Sequence, residues 1–278
     1  MTYFLAITAA SFVVLSVQNG IYYLFLKDKT QYIFKENLIS MVGLSLVLGL
    51  LISSSEYIYG YFKLEIVFVL LFSMALTSFW FIINPFQYFI HKDNYQRDRI
   101  LEKELTNKGY LNYRVLISKK LKDNALATGI VPFFKQIIIA QNLKDDLTKD
   151  QINAIIMHEI GHHRKHHITA LFIINALLQT SAFYILSAVH SLEIQEVWKE
   201  MSLIAITGGL MGLAYYYIPG KIMYYLEYQA DSYAAQIMGK EVTSSALIKL
   251  DELSGGKLTK GNINHPNLKK RLANIQKS

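Results

Sequence analysis

Cysteine is absent from the chain, which excludes a disulfide framework and leaves only nitrogen and oxygen to hold any metal. Charge is scarce as well. Only 18% of the residues are charged, against 52% hydrophobic and a mean hydropathy of +0.24. A 278-residue chain of that composition reads as a membrane protein rather than a soluble globule. It has no internal repeat and no low-complexity segment. The first apolar stretch, 2–26, lacks the basic flank and small-residue cleavage site of a signal peptide, so it is read as a retained anchor. Acidic residues are outnumbered, giving a net charge of +7. That excess does not point to nucleic acid: the basic residues are dispersed and no nucleic-acid-binding motif is present.

What is present is a set of long apolar runs. Stretches 2–26, 38–57 and 64–90 are each long enough to cross a bilayer, the last carrying Trp80, Phe86 and Tyr88 as interfacial aromatics near Pro85. Two more candidates follow at 168–189 and 201–218. Gly208, Gly209 and Gly212 give the second a small-residue face suited to close helix packing. The organisation is therefore an N-terminal membrane region, 1–90, and a polar domain, 91–278, interrupted by an apolar helical pair. With five spans the intervening segments alternate sides. Of 28 Lys and Arg, only Lys63 and Lys199 then fall on the side opposite to 91–167. The positive-inside rule puts the polar domain in the cytoplasm and the N-terminus outside. The basic excess is a matter of topology.

Within the polar domain, 91–109 is charged and helix-like, while 110–118 and 136–140 read as strands. A helix is expected over 221–238 after Pro219 and Gly220, closed by Gly239 as its C-cap. The tail, 241–278, is polar and basic.

The stretch 148–167, TKDQINAIIMHEIGHHRKHH, carries the chemistry. Thr148 with Gln151 reads as a capping box, and Ile152, Ile155, Ile156 and Ile160 form an apolar flank. His158 and His162, four residues apart, lie on one helix face and can reach a single ion, with Glu159 beside them to hold a water. Catalytic zinc needs a third protein ligand and an open position. His166 lies a further turn along, and a straight helix cannot fold three turns around one ion. Glu227, from the later helix, is the better third ligand. Asp231 lies one turn on, where it can accept the second ring N–H of a ligating histidine. Ala230 between them permits close helix approach.

HEIGH, the later E-x-x-A-D, the preceding N-A-x-A-x-G and the terminal H-P-x-x-x-x-R together resemble the gluzincin-type membrane metallopeptidase family of the HtpX heat-shock proteases and type I CAAX prenyl proteases. The likeness covers about 100–275. It implies a mainly α membrane protein of about five transmembrane helices, with a cytoplasmic zincin-like α+β metalloprotease domain carrying a small sheet. It implies one zinc ion on His158, His162 and Glu227, and Glu159 as general base. It further implies that His265 helps stabilise the oxyanion, and that 124–129 is an edge strand whose Asn124, Ala125, Leu126 and Ala127 bind extended substrate. Two positions depart from the family pattern. Many members have an arginine where this chain has Met223 and Tyr224, and many have an aspartate where it has His167. Neither change removes a ligand, though both loosen assignment to either branch.

The expected function is zinc-dependent hydrolysis of peptide bonds in membrane-associated proteins or peptides, carried out at the lipid bilayer. Two other readings stand beside it. One is a dedicated processing protease for a lipidated or signalling peptide. The other is a non-proteolytic zinc-containing membrane sensor or assembly protein.

Overall fold

The structure, a computed structural model, describes residues 92–130, 135–190 and 195–278, with position 192 and scattered positions between 69 and 77. The chain divides into two units, Met1–Phe72 and Ser73–Ser278. The spans expected at 2–26, 38–57 and 64–90 lie outside the described residues apart from those few positions. The second unit is mostly helical, with one small mixed sheet.

The sheet has four strands: β1 (Tyr95–Arg97), β2 (Arg114–Ser118), β3 (Ala125–Thr128) and β4 (Gln136–Ala140). Their order is β1-β2-β4-β3, with β2 and β4 parallel and the other two pairings antiparallel. The run of isoleucines in QIIIA is explained by position: β4 is flanked on both edges and buried at every residue. Strand β3 takes an outer place, with Ala127 opposite Ile137 and no strand beyond it among the described residues.

Helix α1 (Arg99–Asn107) precedes β2, and α2 (Gln141–Asp146) follows β4. Helix α3 (Lys149–Arg164) carries HEIGH. Its capping box is formed: Thr148 Oγ1 accepts from Gln151 N, and Gln151 Oε1 accepts from Thr148 N at 3.0 Å. Ten of its sixteen residues are buried. Ile156, Met157 and Ile160 join Val115, Ile117, Ile137 and Ile139 in one core. Helix α3 is therefore a central pillar, fixed on the sheet before any metal is considered.

Then come α4 (His167–His190) and the 42-residue α5 (Val197–Met238). Among the described residues, one helix is long and apolar enough to cross a membrane, over His167–Ile185. Helix α4 packs along α5, where Tyr215 Oη donates to the carbonyl of Asn175 at 3.2 Å. The tail folds into α6 (Lys240–Leu253), the short α7 (Lys257–Lys260) and α8 (Leu268–Lys277).

Several expectations need correction. The stretch 91–109 is not one helix: Tyr95–Arg97 pairs with β2, and Asp98 then caps α1 by accepting from Ile100 N and Leu101 N. The strand expected at 110–118 begins only at Arg114, because Asn112 adopts a left-handed φ of 66°. Pro219 and Gly220 do not separate two helices. Proline removes one helical hydrogen bond but does not forbid continuation when packing holds both sides. Among the described residues, an added Cβ at Gly208, Gly209 or Gly212 would meet nothing within 4 Å, and the helices expected before residue 91, which could pack there, lie outside them but for a few positions. Gly239 does close α5, with φ of 89° and its N–H donating to the Ala235 carbonyl.

Candidate metal centre

The site assembles where α3, α5 and the segment entering α8 meet. Helix α3 presents His158 and His162. Helix α5 presents Glu227 and Asp231. The two helices touch at Gly161, where an added Cβ would lie 3.1 Å from Ala230 Cα and 3.3 Å from Tyr233 Cβ. A glycine on one helix facing an alanine on the other lets the ligands of both converge.

His158 Nε2 and His162 Nε2 lie 3.2 Å apart. Glu227 Oε2 is 3.6 Å from the first and Oε1 is 3.5 Å from the second. One donor atom from each of the three residues falls within 4.8 Å of the others, so the group could hold a metal ion. Ligands about 2.05 Å from a tetrahedral ion are separated by about 3.3 Å. The spacing of this donor set, two nitrogens and one carboxylate, therefore fits a zinc ion. Charge fits as well. Glu159, Glu227 and Asp231 are buried with one buried guanidinium, Arg271. Three carboxylates against one cation leave the deficit that a divalent ion fills.

His158 Nδ1 lies 3.0 Å from Asp231 Oδ1. Arg271 donates from Nε and Nη2 to Asp231 at 2.8 and 2.6 Å, and its Nη1 lies 3.1 Å from Glu227 Oε2. Burial alone would raise both acids. The Arg271 guanidinium reverses this, holding Glu227 well below the usual carboxylate range and Asp231 below its own. Glu159 has no such partner. Burial pushes it up to about 7, with Glu227 adding to the rise while His158 and the Ala127 N–H oppose it. Burial drives His162 down to about 3, the condition of a neutral imidazole. For His158 burial is outweighed by Asp231 and Glu227, and its value is raised. Acids and histidines of one cluster are thus set to different protonation states.

His265 sits in the segment between α7 and α8, with Nδ1 3.3 Å from Glu227 Oε1 and its side chain 42% exposed. Asn262 Oδ1 accepts from Asn264 N and His265 N, which fixes that segment. The segment rests on α5 at Gly220, where an added Cβ would meet Ile263 Cγ1 at 2.8 Å. The Pro-Gly pair expected to end a helix serves instead as a landing for the His265 loop.

A cleft of about 450 Å³ runs past these groups. Asn124, Ala125, Leu126 and Ala127 line it, so the outer strand β3, unpaired on one edge among the described residues, borders the same space as Glu159. Apolar Leu247, Leu250 and Leu258 line it as well. His166 is not part of this cleft: α3 ends at Arg164, and His166 turns the chain with φ of 57°.

Three residues given no role from sequence are drawn in. Arg271 is visible there only as the last letter of a spaced motif. His167 meets His162 from behind, Nδ1 to Nδ1 at 3.0 Å, and Gln229 Oε1 lies 2.8 Å from His167 Nε2. In the sequence His167 stands out only as a departure from a pattern, and nothing there marks Gln229.

Known proteins resemble the chain in sequence and in fold. The sequence profile of peptidase family M48 matches residues 91–278. Over 224 residues the chain is 26% identical to a protein of Pyrococcus furiosus named Protease HtpX homolog, covering 73% of this chain and 75% of that one. It is 26% identical over 173 residues to Protease HtpX of Glaesserella parasuis, covering 54% of this chain and 61% of that one. The crystal structure of S. mikatae Ste24p matches with a TM-score of 0.62 at 20% identity, covering 96% of this chain and 74% of that one. At that identity the likeness speaks for the fold.

Proposed function

The chain belongs to peptidase family M48, and on that premise we propose that it is a zinc-dependent membrane endopeptidase cutting membrane-associated proteins or peptides. The observation that carries the proposal is the convergence of His158, His162 and Glu227 within 4.8 Å, with Glu159 beside them on a cleft bordered by an open strand edge.

His158, His162 and Glu227 would hold one zinc ion. When bound, zinc supplies Lewis acidity and lowers the pKa of water from 15.7 to about 7. Glu159 takes the proton of the attacking water and passes it to the leaving amine. His265 lines the same cleft and donates to the developing oxyanion, a contribution worth about 3–4 kcal/mol in other hydrolases. An extended substrate adds to the edge of β3 at Asn124–Ala127, so main-chain hydrogen bonds align the scissile carbonyl while the Leu247 wall receives an apolar side chain.

The membrane assignment is supported by His167–Ile185 and by the exposed apolar residues of α4 and α5, including Ile173, Leu177, Leu210 and Leu213. In the full reading about five helices span, region 1–90 provides three, the N-terminus lies outside and domain 91–278 works at the cytoplasmic face. Proximity to the bilayer then selects substrates that are themselves membrane-bound.

Glu159→Gln tests the mechanism. The variant is expected to retain zinc and lose about 10²–10⁴-fold in peptide-bond cleavage, measured on a detergent-solubilised membrane substrate. Turnover equal to wild type would remove Glu159 from the chemistry.

A further inference from the structure

The two metal-facing histidines have their outer ring nitrogens backed in different ways. His158 Nδ1 faces Asp231, a carboxylate tied to Arg271. His162 Nδ1 faces another imidazole nitrogen, His167 Nδ1, at 3.0 Å. The His167 ring stands edge-on to that of His162, with centroids 5.0 Å apart and an interplanar angle of 76°. His167 is 1% exposed, so its second nitrogen must be satisfied by protein, and Gln229 Oε1 lies 2.8 Å from it.

Donor counting fixes the protons. An amide oxygen only accepts, so His167 carries its hydrogen on Nε2 and donates to Gln229. A neutral imidazole has one N–H, so His167 Nδ1 is left with a lone pair. The hydrogen in the His162–His167 contact must then come from His162 Nδ1. His162 Nε2 is left unprotonated, facing His158 Nε2 and Glu227, as a metal ligand has to be. Turning the Gln229 amide over would reverse each donor in the chain. It would leave a hydrogen on His162 Nε2 and close that lone pair to a metal.

We propose that His167 and Gln229 form a neutral positioning relay that holds His162 in its Nδ1-protonated tautomer and aims its Nε2 at the metal site. The proposal rests on reading His162 as a ligand. The left-handed His166 makes the relay possible, because its turn brings the first residue of α4 back behind α3. Three elements, α3, α4 and α5, thereby meet through one imidazole. The relay carries no net charge, so His162 receives orientation without the extra anion that His158 gets from Asp231.

The test uses full-length protein in detergent. Zinc affinity is measured by competition with a chromophoric chelator, and ligand geometry by the visible spectrum of the cobalt-substituted protein. Gln229→Leu is expected to weaken zinc binding about 10- to 100-fold and to shift the cobalt bands. Gln229→Glu, which only accepts, keeps affinity within about threefold of wild type on the same scale. In His167→Asn the side-chain Oδ1 stands where Nδ1 stood and accepts from His162 directly. Against that background Gln229→Leu has no further effect. Wild-type affinity in Gln229→Leu, or the same loss in both backgrounds, overturns the relay. His162→Ala separates the two levels. If it binds zinc like wild type, the ligand reading itself falls. If it loses zinc while Gln229→Leu does not, only the relay falls.

Discussion

The two halves of helix α5 obey opposite rules. In the first half, Ile206, Leu210, Leu213, Tyr216 and Tyr217 are more than half exposed. In the second half Glu227 and Asp231 are buried, with Leu226, Ala230 and Ala234 around them. A helix in water would do the reverse, burying leucine and exposing carboxylates. One helix cannot be wrong twice in one protein. On the proposed reading the first half suits an apolar solvent and the second a cation, so a single rod would join a bilayer to a metal centre.

The comparison can be broken from either end. The largest effect is expected for Arg271→Met, which leaves Glu227 and Asp231 buried without their guanidinium. Removing one partner of such a buried pair costs about 3–5 kcal/mol, so purified protein should melt earlier and lose zinc on dialysis. Next comes Leu210→Arg in the exposed half. A lipid-facing position pays about 2.5–3.5 kcal/mol for arginine, visible as loss from the membrane fraction. A water-facing one would change stability by no more than about 0.5 kcal/mol, so unchanged membrane recovery would remove the lipid reading.

Gly161→Ala probes the contact that brings α5 to α3. The added methyl meets Ala230 backbone at 3.1 Å, and overpacking of this kind costs about 1–3 kcal/mol. Because the strain acts on ligand spacing, zinc affinity should fall by more than the melting temperature suggests. The smallest effect belongs to Asp98→Ala, remote from both halves of α5, which loses the α1 cap at about 1 kcal/mol. Burial works against the Asp98 charge, but Lys144 and the N–H groups of Leu101 and Ile100 hold its pKa below the usual value. A depressed folded-state pKa stabilises above the unfolded value of about 3.9 and ceases to do so as pH falls through the folded one. The wild-type advantage over Asp98→Ala should be constant from neutrality down and shrink below about pH 4, in denaturant titrations at a series of pH values.

The parts of this site that lie within one element were the most legible. The H-E-x-x-H spacing, the Thr148–Gln151 box and the isoleucine run of β4 each express a local period, and each appears where that period places it. The family likeness drawn from four short motifs in order is also the family found. What could not be read depends on meetings between distant elements. Arg271 approaches Asp231 across 40 residues, and Gln229 approaches His167 across 62. Neither approach leaves a periodic trace. Pro219 misled for a related reason. Its intrinsic preference is to end a helix, whereas α4 on one side and the His265 loop on the other hold the helix through it. Tyr95–Arg97 was hidden by its charge, which suits a short outer strand as well as a helix.

The late position of Arg271 has a consequence for the order of synthesis. Asp231 and Glu227 leave the ribosome well before the residue that neutralises them, which follows Asp231 by 40 positions. Until α8 arrives, the two carboxylates lack the guanidinium that pairs with both of them, and burying them against α3 is the more costly. A chain cut short between Asp231 and Arg271 would therefore carry HEIGH, Glu227 and Asp231 and still lack the guanidinium that pairs the two acids. On the proposed reading, a nascent chain would then complete its centre only when its last helix is made.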